Sequence, residues 1–136
     1  MQGAQQFGWD KRRQEPGTMK SGQLLVGYGM ASSLFGVHHN NAKARARLLA
    51  DGTVIVQSAT SDMGPGTGTA MVQIAAGVLG IEPEKIRFDL GDSSLPQAPA
   101  QTGSVTISSV GSAVQLACEA LKEKLTVLAT GKPVSP

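Results

Sequence analysis

The sequence has little cysteine and almost no net charge, and each shortage excludes a class of protein. A single cysteine, Cys118, among 136 residues excludes an intramolecular disulfide and a cysteine-rich metal cluster. Twelve Lys and Arg against ten Asp and Glu leave a net charge of +2, which is too balanced for a surface that binds a phosphate backbone. We therefore expect no nucleic-acid partner.

Long hydrophobic runs and aromatic residues are also scarce. No run approaches the roughly 18 apolar residues of a membrane span, and polar residues rather than a signal peptide follow Met1. The sequence therefore predicts a cytoplasmic chain with no membrane segment. Its 136 residues are enough for one globular domain, since such domains mostly have roughly 100–200 residues.

Glycine, by contrast, is abundant, with 17 of the 136 residues. This is nearly twice its usual frequency of about 7% and predicts many tight turns. In residues 1–20 the aromatic Phe7 and Trp9 lie beside a basic run, and Pro16-Gly17 ends any regular structure. We interpret residues 1–20 as a tail or helix end from a preceding region, and residues 21–136 as the domain itself.

Three segments of this domain have the composition of strands. Residues 24–31 favour a β conformation, although Gly27 and Gly29 leave one face without side chains. Residues 44–49 and 53–57 alternate around the turn Asp51-Gly52, which predicts a β-hairpin. Residues 85–90 alternate in the same way and predict a further strand.

Two further segments have the period of a helix. Residues 70–79 follow Thr67 and Thr69, either of which is a fitting N-cap, and Gly80 fits the C-terminal cap. The second helix has an apolar stripe at steps of three and four, formed by Ile107, Val110, Val114, Ala117, Cys118, Leu121, Leu125 and Leu128. The order of elements predicts an α+β, two-layer domain: a mixed β-sheet with two helices packed on one face.

Both predicted helices begin after loops rich in Gly, Ser and Thr, at residues 63–69 and 101–109. Free N–H groups and the helix dipole attract an anion at such positions. If both helix starts lie at the same edge of the sheet, they form one anion-binding cleft; ordinary capped helices explain the same pattern. Gly64-x-Gly66-x-Gly68 matches neither the dinucleotide fingerprint nor the phosphate-binding loop of nucleotide hydrolases.

Other candidate residues have simpler explanations. His38 and His39 are adjacent and lack a third ligand at a suitable spacing, which favours a polar loop over a metal site. Cys118 lies on the apolar stripe, where a small buried side chain is a better interpretation than a nucleophile. Asp62 and Asp92 would suit a pair of catalytic carboxylates, but capping and turn formation explain both.

Several of these motifs occur together in one order: the loop 62–69, the helix 71–81, the strand and turn 85–93, and the loop and helix start 102–114. In this combination they resemble the molybdopterin-binding large subunit of the xanthine dehydrogenase and aldehyde oxidase family, in its bacterial aldehyde oxidoreductase form. Residues 7–13 and 27–31 resemble the segment that precedes these motifs. The resemblance covers nearly the whole chain.

The resemblance implies a cofactor and partners. Members of that family hold molybdenum on molybdopterin, often as a cytosine dinucleotide, and hydroxylate aldehydes or N-heterocycles with oxygen from water. Their electrons leave through iron–sulfur clusters to FAD on other subunits or domains. The implied partners are the rest of the molybdopterin subunit and the iron–sulfur and FAD subunits, and export with those partners would place the chain in the periplasm instead.

The resemblance also assigns cofactor-binding residues, all of them in the two loops. They are Met63, Gly64, Gly66, Thr67, Thr69, Gly103, Ser104 and Thr106. Many members have Gln between the two loop glycines, where this chain has Pro65, which offers neither a side-chain donor nor a backbone N–H. The contribution of this loop must therefore come from its glycines and their neighbours.

The resemblance gives no residue of this chain a catalytic role. The family's catalytic Glu belongs to a region after the one matched, so we expect these 136 residues alone to be inactive. We expect their exposed faces to meet the missing domains or another copy. Two alternatives remain: a separate binding or interaction module that keeps the fold without catalysis, and an unrelated α+β domain whose capped helices mimic the motifs.

Overall fold

A computed structural model describes residues 2–131 of the chain. The chain divides into two compact units between Phe35 and Gly36. None of the helices in the described range is long and apolar enough to cross a membrane. We expected a boundary at residue 20, between a tail and a cofactor-binding domain. Because this boundary is defined by cofactor binding, it stays a prediction.

The first unit contains little regular structure. Helix α1 spans Gln2–Phe7, and the two-residue strands β1 (Lys20–Ser21) and β2 (Leu24–Leu25) pair antiparallel. No residue from 2 to 35 is buried. Its packing consists of local contacts, such as the rings of Phe7 and Tyr28, whose centroids lie 5.1 Å apart.

The strand expected over residues 24–31 is therefore mostly wrong. Only Leu24–Leu25 pairs, and residues 26–44 form no helix or strand. Leu24 and Leu25 are both exposed, so no core covers either side of the segment. A β-prone composition gives a strand only where packing on neighbouring elements supports it, and here that packing is absent.

The second unit is built on a three-stranded sheet. Its strands are β3 (Arg45–Leu48), β4 (Val54–Gln57) and β5 (Ile86–Asp89), in the order β3-β4-β5. β3 and β4 form the predicted antiparallel hairpin, and β4 pairs with β5 in parallel. The sheet is thus mixed, as predicted.

The two predicted helices are α2 (Thr67–Leu79) and α3 (Thr106–Thr130). α2 ends as expected at Gly80, which has a φ of 71° and donates its N–H to the Ala76 carbonyl at 2.8 Å. Its expected start is wrong: the N-cap is Gly66, and Thr67 is already the first helical residue. The glycine takes the cap because the backbone there has a φ of 83°, which a threonine rarely adopts.

The core lies between the sheet and both helices. α2 packs against β5 and α3 against β3, and the helices pack against each other. The side chains buried at this junction include Val54, Val56, Met71, Ala75, Ile86, Val110, Val114 and Cys118. This confirms the predicted α+β arrangement of two helices on one face of a mixed sheet.

The helices approach closely at Gly111. A Cβ placed on this glycine would lie 2.9 Å from Cδ1 of Ile74 in α2, closer than side chains normally pack. The absence of a side chain therefore allows α3 to lie directly on α2.

Two residues of the predicted apolar stripe are exposed. Ile107 is 50% exposed and Leu128 is 83% exposed. At about 1.5 Å per residue, α3 is longer than a sheet of four-residue strands at about 3.3 Å per residue. Only a part of the helix can therefore face the sheet, and the buried core residues Val110, Val114 and Cys118 lie in its first half.

Met71→Ala should destabilise the second unit much more than Leu116→Ala. Met71 is 0% exposed, whereas Leu116 is 65% exposed. Truncating a buried Met costs about 2–5 kcal/mol, and a change at an exposed position costs less than about 0.5 kcal/mol. Urea unfolding followed by circular dichroism measures both. Similar losses in the two variants would contradict the core described above.

Candidate functional site

The carboxylate of Asp62 holds the loop before α2 through two hydrogen bonds. Oδ1 of Asp62 accepts the N–H of Gly64 at 2.8 Å, and Oδ2 accepts the N–H of Thr67 at 2.9 Å. Asp62 thus has the capping role expected of it. The first N–H of α2 is already satisfied inside the chain, so this helix start does not offer that group to an external anion.

The loop before α3 has a different geometry. Gly103 and Ser104 both have a left-handed backbone, with φ of 53° and 59°, and Ser104 is the only non-glycine residue with positive φ among residues 2–131. The N-cap of α3 is Val105, and no side chain caps the helix. The first N–H groups of α3 therefore have no side-chain acceptor, whereas the carboxylate of Asp62 accepts the first N–H of α2.

Gln101 joins the two loops. Its Nε2 donates to Oγ1 of Thr67 at 3.3 Å, and its Oε1 accepts the hydroxyl of Ser61 at 3.1 Å. The two helix starts therefore lie together at one edge of the sheet, as the cleft interpretation requires.

A pocket of about 650 Å³ lies between these loops. Five of the predicted residues line it: Met63, Thr67, Gly103, Ser104 and Thr106. The other three, Gly64, Gly66 and Thr69, are not among its lining residues. Contact between any of the eight residues and a cofactor stays a prediction.

The remaining lining residues were not assigned to the cofactor from the sequence. They are Val37, Pro65, Gln101, Thr102, Val105, Ile107 and Ser108. Ile107 had been placed on the apolar stripe, and its exposed side chain instead forms part of this wall. Val37 lies far from the other residues in sequence, and no local pattern indicates its position.

Thr106 is the most informative residue of the pocket. It is 7% exposed, and its Oγ1 is buried without a hydrogen-bond partner. An unsatisfied buried hydroxyl costs about 1–3 kcal/mol, so native structures rarely keep one without a reason. Because Thr106 lines the pocket, a small shift of the loop would bring this hydroxyl within reach of a polar atom of a ligand.

The segment before β3 fixes the start of α3 from the side. The carbonyl of His38 accepts the hydroxyl of Ser108, and the N–H of Asn40 donates to Oγ of Ser109 at 2.9 Å. His38 and His39 thus belong to a polar loop. Across residues 2–131 no three His, Cys, Asp or Glu side chains are grouped so that they could hold a metal ion.

Asp92 and Cys118 have the structural roles expected from the sequence. Oδ1 of Asp92 accepts the N–H of Ser94 at 2.8 Å, and this bond lowers the pKa of the carboxyl group. Cys118 is fully buried in the core, and burial, with a smaller contribution from the charge of Glu119, raises the pKa of its thiol to about 11. A thiol of this kind is a poor nucleophile.

Comparison with known proteins assigns the chain to a family. The sequence profile of the molybdopterin cofactor-binding domain matches residues 2–134, nearly the whole chain. The chain belongs to this family. It is 36% identical over 123 residues to the aldehyde oxidoreductase molybdenum-binding subunit PaoC of Escherichia coli strain K12, a match that covers 90% of this chain and 17% of that protein.

Other relatives agree with this family. Xanthine dehydrogenase of Drosophila subobscura is 34% identical over 108 residues, covering 78% of this chain and 8% of that one. The solved CO dehydrogenase of Oligotropha carboxidovorans aligns at 28% identity and a TM-score of 0.63, covering 67% of this chain and 11% of that one. The aldehyde oxidoreductase of Desulfovibrio gigas aligns at 29% identity and a TM-score of 0.59, covering 74% and 13%. The chain therefore spans a small part of the length of the relatives it matches.

Asp62→Ala should destabilise this molybdopterin-family domain because two backbone N–H groups lose their acceptor. The expected loss is about 0.5–2 kcal/mol in the free energy of unfolding, the range for lost caps. Asp62→Asn keeps one acceptor oxygen and should lose less. The matched control is Glu123→Ala on the exposed side of α3, and urea unfolding measures all three. An equal loss in Asp62→Ala and Glu123→Ala would show that the carboxylate does not hold the loop.

Cys118 should react slowly with a disulfide reagent in the folded chain and rapidly in urea. Burial removes access, and a pKa of about 11 leaves almost no thiolate at pH 8. The unfolded chain releases this proton first, near the ordinary value of 9.0, so the stability of the fold should fall as the pH rises from 9.0 to about 11. Rapid labelling of the native chain at pH 8 would show that Cys118 is accessible.

Proposed function

We propose that this chain forms part of the wall of a molybdopterin site in an oxidoreductase of the xanthine dehydrogenase and aldehyde oxidase type. The observation that carries the proposal is the buried, unpartnered Oγ1 of Thr106, which belongs to a pocket-lining residue at the start of α3. The family membership and the relatives named above support the same cofactor.

The residues present fit such a group. Molybdopterin carries a phosphate and a pterin with several polar atoms, so it needs an anion-attracting position and hydrogen-bonding side chains. The uncapped start of α3 offers the anion-attracting position. The hydroxyl of Thr106 offers one hydrogen-bonding side chain. The left-handed backbone at Gly103 and Ser104 shapes the loop next to both.

These residues bind and orient the cofactor. The bound cofactor supplies the redox chemistry, which is the oxidation of an aldehyde or N-heterocycle with oxygen from water. The carboxylate of Asp62, next in sequence to the pocket residue Met63, is held by two backbone N–H groups and is not free to act as a base. The resemblance to this family implies a catalytic Glu in a region that follows the matched residues, and we propose no catalytic role for the residues described above. Iron–sulfur and FAD partners would accept the electrons, and the cytosine dinucleotide form would extend the cofactor.

Thr106→Val should weaken cofactor retention without weakening the fold. Valine has nearly the shape of threonine but no hydroxyl, so the substitution removes an unsatisfied buried group from the empty domain and a hydrogen bond from the loaded one. The loss of one such bond predicts about tenfold weaker binding. Thr106→Ser keeps the hydroxyl and should retain the cofactor.

The measurement uses the full natural polypeptide that contains these residues, made in cells that synthesise molybdopterin. Molybdenum is quantified by mass spectrometry and the pterin by fluorescence after oxidation, each per polypeptide. Thr126→Val, at a half-buried position about 30 Å further along the same helix, is the matched control. Equal cofactor content in Thr106→Val and Thr126→Val would overturn the assignment of Thr106, and a polypeptide without pterin in every form would overturn the proposed function.

A further inference from the structure

The outer face of the sheet, opposite the helices, carries an unusual concentration of arginine. Alternate rows of the sheet face the core, as shown by the burial of Val54 and Val56 among the helices. The two remaining rows form the outer face. Their members are Arg45, Gln57 and Asp89 in one row and Arg47, Ile55 and Arg87 in the other.

One row is held together by hydrogen bonds across all three strands. Nε of Arg45 donates to Oε1 of Gln57 at 3.1 Å, and Nε2 of Gln57 donates to Oδ2 of Asp89 at 2.9 Å. Arg87 completes the network through a salt bridge from its Nε to Oδ1 of Asp89, also at 2.9 Å. Although partial burial opposes it, these bonds hold the pKa of Asp89 below its ordinary value.

The other row has a buried apolar residue, Ile55, at its centre. Ile55 is only 4% exposed, yet it does not belong to the core cluster beneath the helices. Its direct neighbours across the strands are Arg47 and Arg87. Of the two arginines without a salt bridge, Arg45 is held in advance by its hydrogen bond to Gln57.

The charges on this face do not balance. Three guanidinium groups face the single carboxylate of Asp89, which already accepts bonds from Gln57 and Arg87. Arg45 and Arg47 are exposed, and neither forms a salt bridge with any residue from 2 to 131. Their terminal nitrogens are therefore available to carboxylates from outside.

We propose that this outer face docks an acidic surface of a partner protein, whose Asp or Glu carboxylates pair with Arg45 and Arg47. The patch is about 10 Å wide, because adjacent strands lie about 4.8 Å apart, and this size suits a few carboxylates. A nucleic acid would need a longer basic stripe, since duplex DNA carries a charge about every 1.7 Å. Ordering of the Arg45 side chain in advance reduces the entropy that docking would cost.

The test measures the binding of a fluorescein-labelled peptide of alternating Glu and Ser to the full polypeptide that contains these residues. Fluorescence anisotropy gives the dissociation constant. The double variant Arg45→Gln/Arg47→Gln should bind about tenfold more weakly, since it removes both guanidinium groups that would pair with the peptide's carboxylates. Lys11→Gln/Lys124→Gln is the control, because it removes the same charge from exposed positions elsewhere.

A further variant separates geometry from charge. Arg45→Lys/Arg47→Lys keeps the charge but loses the planar guanidinium group that binds a carboxylate through two hydrogen bonds. We therefore expect this variant to bind with an intermediate affinity. Circular dichroism of each variant establishes that the sheet has formed. A nearly unchanged affinity in the control, together with the tenfold loss in the arginine variant, supports the proposal.

Three results would overturn it. Equal weakening in the lysine control would mean that the peptide responds only to net charge. Tighter binding of a duplex DNA of equal charge, lost in the same arginine variant, would make the face a nucleic-acid surface. Sedimentation showing a dimer that the arginine variant abolishes would make the occupant a second copy of the chain.

Discussion

The parallel pairing of β4 with β5 determines where the candidate site lies. Parallel strands end at the same edge of a sheet and need a crossover between them, which α2 provides. α2 begins after β4 and α3 begins after β5, so both helix starts meet at that edge. The pairing continues into the loops, where the N–H of Gly91 donates to the carbonyl of Thr60 at 2.8 Å.

The two helix starts at this edge differ in how their polar groups are satisfied. In the loop before α2, the carboxylate of Asp62 accepts two backbone N–H groups. At the start of α3 no side chain caps the helix, and Oγ1 of Thr106 has no partner. Buried polar groups cost free energy unless they are paired, so the second start is the one where a ligand gains most. In our proposal, α3 is therefore the centre of the molybdopterin site and α2 is its supporting wall.

Much of the fold could be predicted because it depends on local patterns. The hairpin follows from alternation around Asp51-Gly52, and the ends of both helices follow from glycines that adopt positive φ, Gly80 and Gly131. Apart from the N-cap of α2, which Gly66 takes for a local reason, the predictions that are wrong concern residues whose environment is distant in sequence. Residues 26–31 have the composition of a strand, but no other element covers them. Leu128 belongs to the apolar stripe of α3 but lies beyond the end of the sheet.

The sequence by itself determined the elements, the composition of the two loops and the resemblance that pointed to molybdopterin. Five of the eight residues assigned from that resemblance line one pocket. Only the tertiary structure decided that Gln101 joins the loops, that Thr106 is left unpaired and that three arginines share the outer face of the sheet. The physical reason is that backbone preferences act over a few residues. Burial and hydrogen bonding depend instead on which distant elements meet, and here that depends on one parallel strand pair.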